Sequence, residues 1–77
     1  EAFAAQASYC QQELGIADED INPHGGAIAL GHPLGVSGTR MTGTLLRAMA
    51  EKGQRWGVVS MCIGGGMGAA GLFEIVD

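Results

Sequence analysis

Trp56-Gly57-Val58-Val59-Ser60-Met61-Cys62-Ile63, then Gly64-Gly65-Gly66-Met67-Gly68, then Gly71-Leu72-Phe73-Glu74-Ile75-Val76 make up the last part of the chain, and their reading decides the fold. The first and last of these runs are short, apolar and rich in branched or aromatic residues, and glycines join them, so they predict two adjacent strands. Both are apolar at nearly every position rather than alternating, the pattern of strands covered on both faces. Upstream, Met41, Leu45, Ala48 and Met49 form one apolar stripe while Arg40, Arg47 and Glu51 fall largely elsewhere. That spacing predicts a helix over 37–52, with Gly53 as its stop. Two helices cannot cover both faces of a sheet, so the strand pattern implies further layers supplied by a longer protein.

Working further back, residues 22–38 carry Gly25, Gly26, Gly31, Gly35 and Gly38 with Pro23 and Pro33, too much punctuation for a regular element. A structured loop is expected there. Asp18-Glu19-Asp20 reads as a solvated acidic connector or a favourable helix-start charge. From Ala2 to Leu14, the residues Phe3, Ala7, Cys10 and Leu14 recur at helical spacing and Gly15 follows, predicting an amphipathic helix. Glu1-Ala2-Phe3-Ala4 already reads as the inside of that helix, without a polar cap before it, which suggests a chain that begins mid-protein. The resulting order of helix, glycine-rich loop, helix and two adjacent antiparallel strands is an α/β arrangement.

Composition narrows the function classes. At 77 residues the chain can hold one small domain. A domain of that size buries only about 60% of its unfolded surface, near the limit of independent stability. The net charge of −4, with Arg40, Arg47, Lys52 and Arg55 as the cations, argues against nucleic acid or an anionic membrane surface as partner. No apolar run reaches the roughly 20 residues of a membrane span, so a soluble protein is expected. Cys10 and Cys62 lack C-x-x-C spacing and read as free thiols of a reducing compartment.

Three constellations could carry chemistry. In Gly31-His32-Pro33 the glycine lets backbone approach a ligand and the proline stiffens the loop beside an imidazole able to exchange protons near neutral pH. A general base is often presented this way, although a lone histidine is more often a hydrogen-bonded structural residue. Cys62 ends an apolar strand and precedes three glycines. A cysteine so placed is ordinarily a small core residue, yet the bare backbone N–H groups after it, Gly64 first among them, could face a developing oxyanion. Gly66-Met67-Gly68-Ala69-Ala70-Gly71 matches G-x-G-x-x-G, but a dinucleotide site needs a helix opening at that loop, and a strand-like run follows instead. His24, His32, Cys10 and Cys62 share none of the short spacings of a zinc site, so no metal is expected. His24, between Pro23 and Gly25, reads as a residue that orients the loop rather than a second catalytic imidazole.

Taken together, Asn22-x-x-Gly25-Gly26 with Gly31-His32-Pro33-x-Gly35-x-Ser37-Gly38, and Ser60-Met61-Cys62-Ile63-Gly64-Gly65-Gly66-Met67-Gly68, resemble the two C-terminal signatures of thiolases. Glu1-Ala2-Phe3-Ala4 also resembles that family's third conserved block, so the resemblance spans the whole chain in order and spacing. It implies that residues 1–77 are an incomplete C-terminal thiolase domain of layered α/β type. It implies further that His32 is a general base for a cysteine acylated in the N-terminal half, that Cys62 moves a proton to or from the carbon nucleophile of a second acyl-CoA, and that the Gly64 N–H stabilises an oxyanion.

The implied activity is thiolysis of 3-oxoacyl-CoA or the reverse Claisen condensation, with coenzyme A thioesters as substrates and no fixed cofactor. The acylated cysteine and the asparagine that opens the family's third block are not in this sequence, so the 77 residues alone are expected to be inactive. The implied partners are the N-terminal half and further copies of the parent, a homodimer or homotetramer. The compartment is expected to be cytoplasmic, or mitochondrial or peroxisomal in a eukaryote. Competing readings are a thiolase-like lipid or sterol carrier without chemistry, which retention of His32 and Cys62 disfavours, and a small nucleotide-binding module, which the strand hydrophobicity disfavours.

Overall fold

The computed structural model describes residues 1–76. The chain forms two compact units, Glu1–Leu34 and Gly35–Asp77.

The second unit is a helix on a hairpin. Helix α3 runs Ser37–Lys52, as its apolar stripe predicts. Gly53, left-handed at φ 66, donates its N–H to the Ala50 carbonyl, and the Gln54 N–H reaches the Met49 carbonyl at 2.9 Å. This is the paired closure that satisfies the last orphan carbonyls of a helix. Thr39, Thr42, Gly43 and Thr44 are poor helix formers, so packing rather than propensity sustains α3. The Thr42 hydroxyl donates to the Gly38 carbonyl at 2.8 Å, and Arg47 pairs with Glu51 one turn on at 2.9 Å. Arg40 lies closer to the interior than its charge suggests: it is half-buried, and its Nη2 has no hydrogen bond among the described residues.

Strands β1 (Trp56–Gly64) and β2 (Met67–Glu74) pair antiparallel, with Gly57 opposite Phe73, Val59 opposite Gly71 and Cys62 opposite Gly68. The Ile75 N–H bonds the Arg55 carbonyl at 2.9 Å, and Arg55 forms an ion pair with Glu74 across the strands, its guanidinium also lying over the Trp56 ring. Strand β2 starts four residues earlier than the apolar run suggests. Met67-Gly68-Ala69-Ala70 carries almost no β-forming side chains, and the tight turn imposes the pairing instead.

Helix α3 packs on one face of β1. Among the described residues Met49 is the one fully buried large side chain, at 1% exposure, with Ala48 and Ser37 also buried. Gly57 makes this possible: a Cβ there would lie 2.6 Å from Met49 Sδ and 2.8 Å from Leu45 Cδ1. Gly57, Val59 and Met61 alternate along the half-buried face, while Trp56, Val58, Ser60 and Cys62 lie on the other, which is open. Val58 and Leu72 face each other across the pair on that open side, with Leu72 67% exposed. The two-sided apolar pattern is therefore present, but the described residues cover only one face.

In the first unit, helix α1 runs Ala4–Leu14 and Gly15 closes it, with the Ile16 N–H on the Gln11 carbonyl at 3.1 Å. The Gln11 side chain ties this end to the following 3₁₀ turn, Asp18–Asp20, through the Ile16 carbonyl and the Asp18 carboxylate at 2.6 Å. Two expectations are corrected. Glu1–Phe3 are not helical: Phe3 is extended and its carbonyl accepts the first turn's bond from Ala7. No residue of α1 is buried, and Phe3 and Leu14 on the expected apolar stripe are 69% and 73% exposed, so that stripe covers no core in this unit. The glycine-rich loop is also less irregular than its composition suggests, because Ala27–Leu30 form a one-turn helix, α2.

Overpacking a filled contact costs about 1–3 kcal/mol. In the full-length protein, Gly57→Val is therefore expected to lower the unfolding free energy measured in urea by an amount in that range.

Candidate functional site

His32 follows α2 directly. Within α2 the Gly26 carbonyl accepts from Ala29 and Leu30, and the Gly31 N–H bonds the Ala27 carbonyl at 2.8 Å. Gly31 then turns the chain out of the helix at φ 96, and the exposed His32 is held between it and Pro33. Three residues upstream of the loop's glycine pair, Asn22 occupies the left-handed region at φ 44, which asparagine tolerates better than most side chains. Its carbonyl accepts from the Gly25 N–H at 3.0 Å.

A residue that the sequence reading left inside a helix proves to organise this loop. The Glu1 carboxylate accepts from the Ile28 backbone N–H at 3.3 Å and from Asn22 Nδ2 at 3.4 Å. It lies so close to Gly26 that a Cβ there would be 2.6 Å from Glu1 Cδ. The available signal was chemical rather than periodic: an uncapped one-turn helix needs an acceptor for its first N–H groups, and Glu1 supplies one.

Cys62 lies in the other unit, near the end of β1 on the open face, and its thiol is exposed and free, as is that of Cys10 on α1. The alternative reading of Cys62 as a core residue does not hold for this unit. Directly after it the ladder slips: Cys62 is opposite Gly68 and Gly64 opposite Met67, so Ile63 is an extra residue on β1. Such a bulge re-aims the strand at its end, next to Cys62. Gly65 and Gly66 form the two-residue turn, at φ 59 and 75, the paired positive values of a type I′ hairpin. Gly64, also at positive φ, carries no side chain that would screen its backbone.

The structure thus brings Cys62 and Gly64 together at one strand end and places His32 on the loop of the first unit. Gly66–Gly71 form turn and strand rather than a helix start, so the dinucleotide-binding geometry is not met. Among the described residues no group of three or more His, Cys, Asp or Glu could hold a metal ion, and no helix is long and apolar enough to cross a membrane. An open hollow of about 340 Å³ beside Glu1 and another of about 570 Å³ at the C-terminal end of α3 are lined by neither His32 nor Cys62.

The family model described as the thiolase C-terminal domain matches residues 1–75. The 3-ketoacyl-CoA thiolase of Bacillus subtilis (strain 168) is 59% identical over 75 residues, covering 97% of this chain and 19% of that protein. Peroxisomal 3-ketoacyl-CoA thiolase B of Rattus norvegicus is 63% identical over 75 residues, covering 96% of the chain and 18% of its own length. The peroxisomal enzyme of Homo sapiens is 59% identical with the same coverages. The chain spans under a fifth of the length of these relatives.

A Cβ in a left-handed backbone costs about 1–2 kcal/mol, and asparagine offsets part of it by local hydrogen bonding. Gly65→Ala in the full-length protein is accordingly expected to lose about that much stability in urea unfolding, and Gly65→Asn clearly less.

Proposed function

The chain belongs to the thiolase C-terminal domain family, and from that premise we propose that it is the proton-handling part of a 3-ketoacyl-CoA thiolase. The observation that carries the proposal is the family match over residues 1–75 together with Cys62, exposed at a bulged strand end beside an unscreened glycine turn.

The reaction is acyl transfer in two halves. In the first, a cysteine of the N-terminal half attacks the keto carbonyl of 3-oxoacyl-CoA, and His32 takes that cysteine's proton as general base. The carbon–carbon bond breaks, the acyl group stays on the cysteine, and Cys62 delivers a proton to the departing carbanion, releasing acetyl-CoA. In the second, the thiol of free coenzyme A attacks the acyl-cysteine, the enzyme cysteine leaves and regains its proton from His32, the coenzyme A proton makes good the one spent on carbon, and the product is an acyl-CoA shortened by one acetyl unit. Run backwards, Cys62 removes the proton from acetyl-CoA and the resulting carbanion attacks the acyl-enzyme.

Negative charge builds on a carbonyl oxygen at each addition, and in this reading the backbone N–H of Gly64 stabilises one such oxyanion. A donor of this kind contributes about 3–4 kcal/mol to the transition state. Coenzyme A enters as substrate rather than as a bound cofactor. The acidic segment holds few cations, so the contacts to its phosphates belong to other parts of the protein. The active species is a homodimer or homotetramer. Bacterial and peroxisomal relatives support a compartment that is either the cytoplasm or the peroxisome.

The test is thiolysis of acetoacetyl-CoA by the full-length protein. His32→Ala and Cys62→Ala should each lower turnover by at least about two orders of magnitude, the size of acid–base effects. The 77-residue segment alone should be inactive. Turnover like the wild type's in either variant would overturn the assignment of that residue.

A further inference from the structure

We propose that Glu1 is a positioning residue for His32, acting through helix α2; the inference rests on the reading of His32 as general base. One carboxylate holds both ends of the segment that leads to the imidazole. Its Oε1 accepts from the Asn22 side chain where the loop begins, at 3.4 Å, and its Oε2 accepts from the Ile28 backbone N–H in the first turn of α2, at 3.3 Å.

Gly26 lies between these two donors and admits the carboxylate so closely that a side chain there would push the carboxylate aside. The loop is thereby seated on Glu1 by two long hydrogen bonds to the carboxylate and by its close approach to Gly26. From Ile28 onward the path to His32 is short and stiff. Leu30 and Gly31 are tied back by backbone bonds of 2.9 and 2.8 Å, so α2 moves as one turn, and His32 follows Gly31 immediately. A shift of α2 therefore becomes a shift of the imidazole.

The contacts of the Glu1 carboxylate are with Asn22, Gly26 and Ile28, on the path that leads to His32. Its contribution is geometric, and geometric errors of about 1 Å at a catalytic group cost about 10²-fold in rate. Removing the carboxylate frees both donors and opens space beside Gly26. Glutamine retains the volume and one acceptor oxygen, which can serve only one of the two donors.

The experiment is steady-state thiolysis with Glu1→Ala and Glu1→Gln in the full-length protein, alongside its thermal midpoint and the His32→Ala variant. Glu1→Ala is expected to lower kcat by about 10- to 100-fold while KM stays within about threefold, with Glu1→Gln intermediate. The thermal midpoint should move by only a few degrees. A purely structural role would instead lower the amount of folded enzyme and leave kcat per folded molecule unchanged, and that result would overturn the inference.

If Glu1→Ala fails to fold, the near-isosteric Glu1→Gln decides the matter by the same split. A dead His32→Ala beside fully active Glu1 variants would overturn this inference alone. A fully active His32→Ala would overturn the reading of His32 and this inference with it.

Discussion

The missing side chain at Gly57 is the constraint on which the second unit depends. With no Cβ at that position, Met49 and Leu45 of α3 descend onto the backbone of β1, and Met49 becomes the most deeply buried side chain of the described residues. Burying a methionine is worth about 1.5–3 kcal/mol, a large share of what a 43-residue helix-on-hairpin unit can gather. The same contact fixes which face of the strand is inside. Gly57, Val59 and Met61 turn towards α3, so Cys62, at the next position along, must turn away from it. Exposure of the thiol thus follows from the packing of a glycine five residues earlier.

Much of this was legible in the sequence because it depends on local signals. Helix α3 could be read from end to end, since its stripe is regular and Gly53 ends it cleanly. Strand β1 and the position of Cys62 at its end were equally clear. The start of β2 was not, because Met67-Gly68-Ala69-Ala70 has neither alternation nor branched side chains, and its pairing comes from the turn at Gly65 and Gly66. One-turn α2 was hidden for a related reason. Four helix-forming residues bracketed by glycines look like loop, and their stability comes from backbone bonds and from Glu1. That partner lies 27 residues away, and no periodicity connects the two positions. The bulge at Ile63 is invisible to pattern reading because it is a property of the pairing of two strands.

The apolar surfaces left open have a common explanation in the length of the family's members. Val58 and Leu72 on the open strand face, and Phe3 and Leu14 on α1, lie on elements whose sequence patterns call for covering layers. The relatives are roughly five times as long as this chain, judging from the 17–19% of their length that it spans. On the function proposed above, helix, strand and loop here would supply two proton-handling groups on short, stiff supports, with the acyl-carrying group in the rest of the protein. Such a division suits ping-pong chemistry, in which one thiol must hold the acyl group while a different group manages the proton on carbon.

The most direct measurement of that division is hydrogen exchange at carbon. The full-length protein and its Cys62→Ser variant would each be incubated in D2O with acetyl-CoA, and deuterium in the acetyl methyl group followed by mass spectrometry in parallel with formation of the acetyl-enzyme. The account predicts that the variant still forms acetyl-enzyme at a rate near the wild type's but loses methyl exchange, because Cys62 handles only the proton on carbon. Methyl exchange at the wild-type rate, or loss of acetyl-enzyme formation with exchange intact, would contradict the role assigned to Cys62.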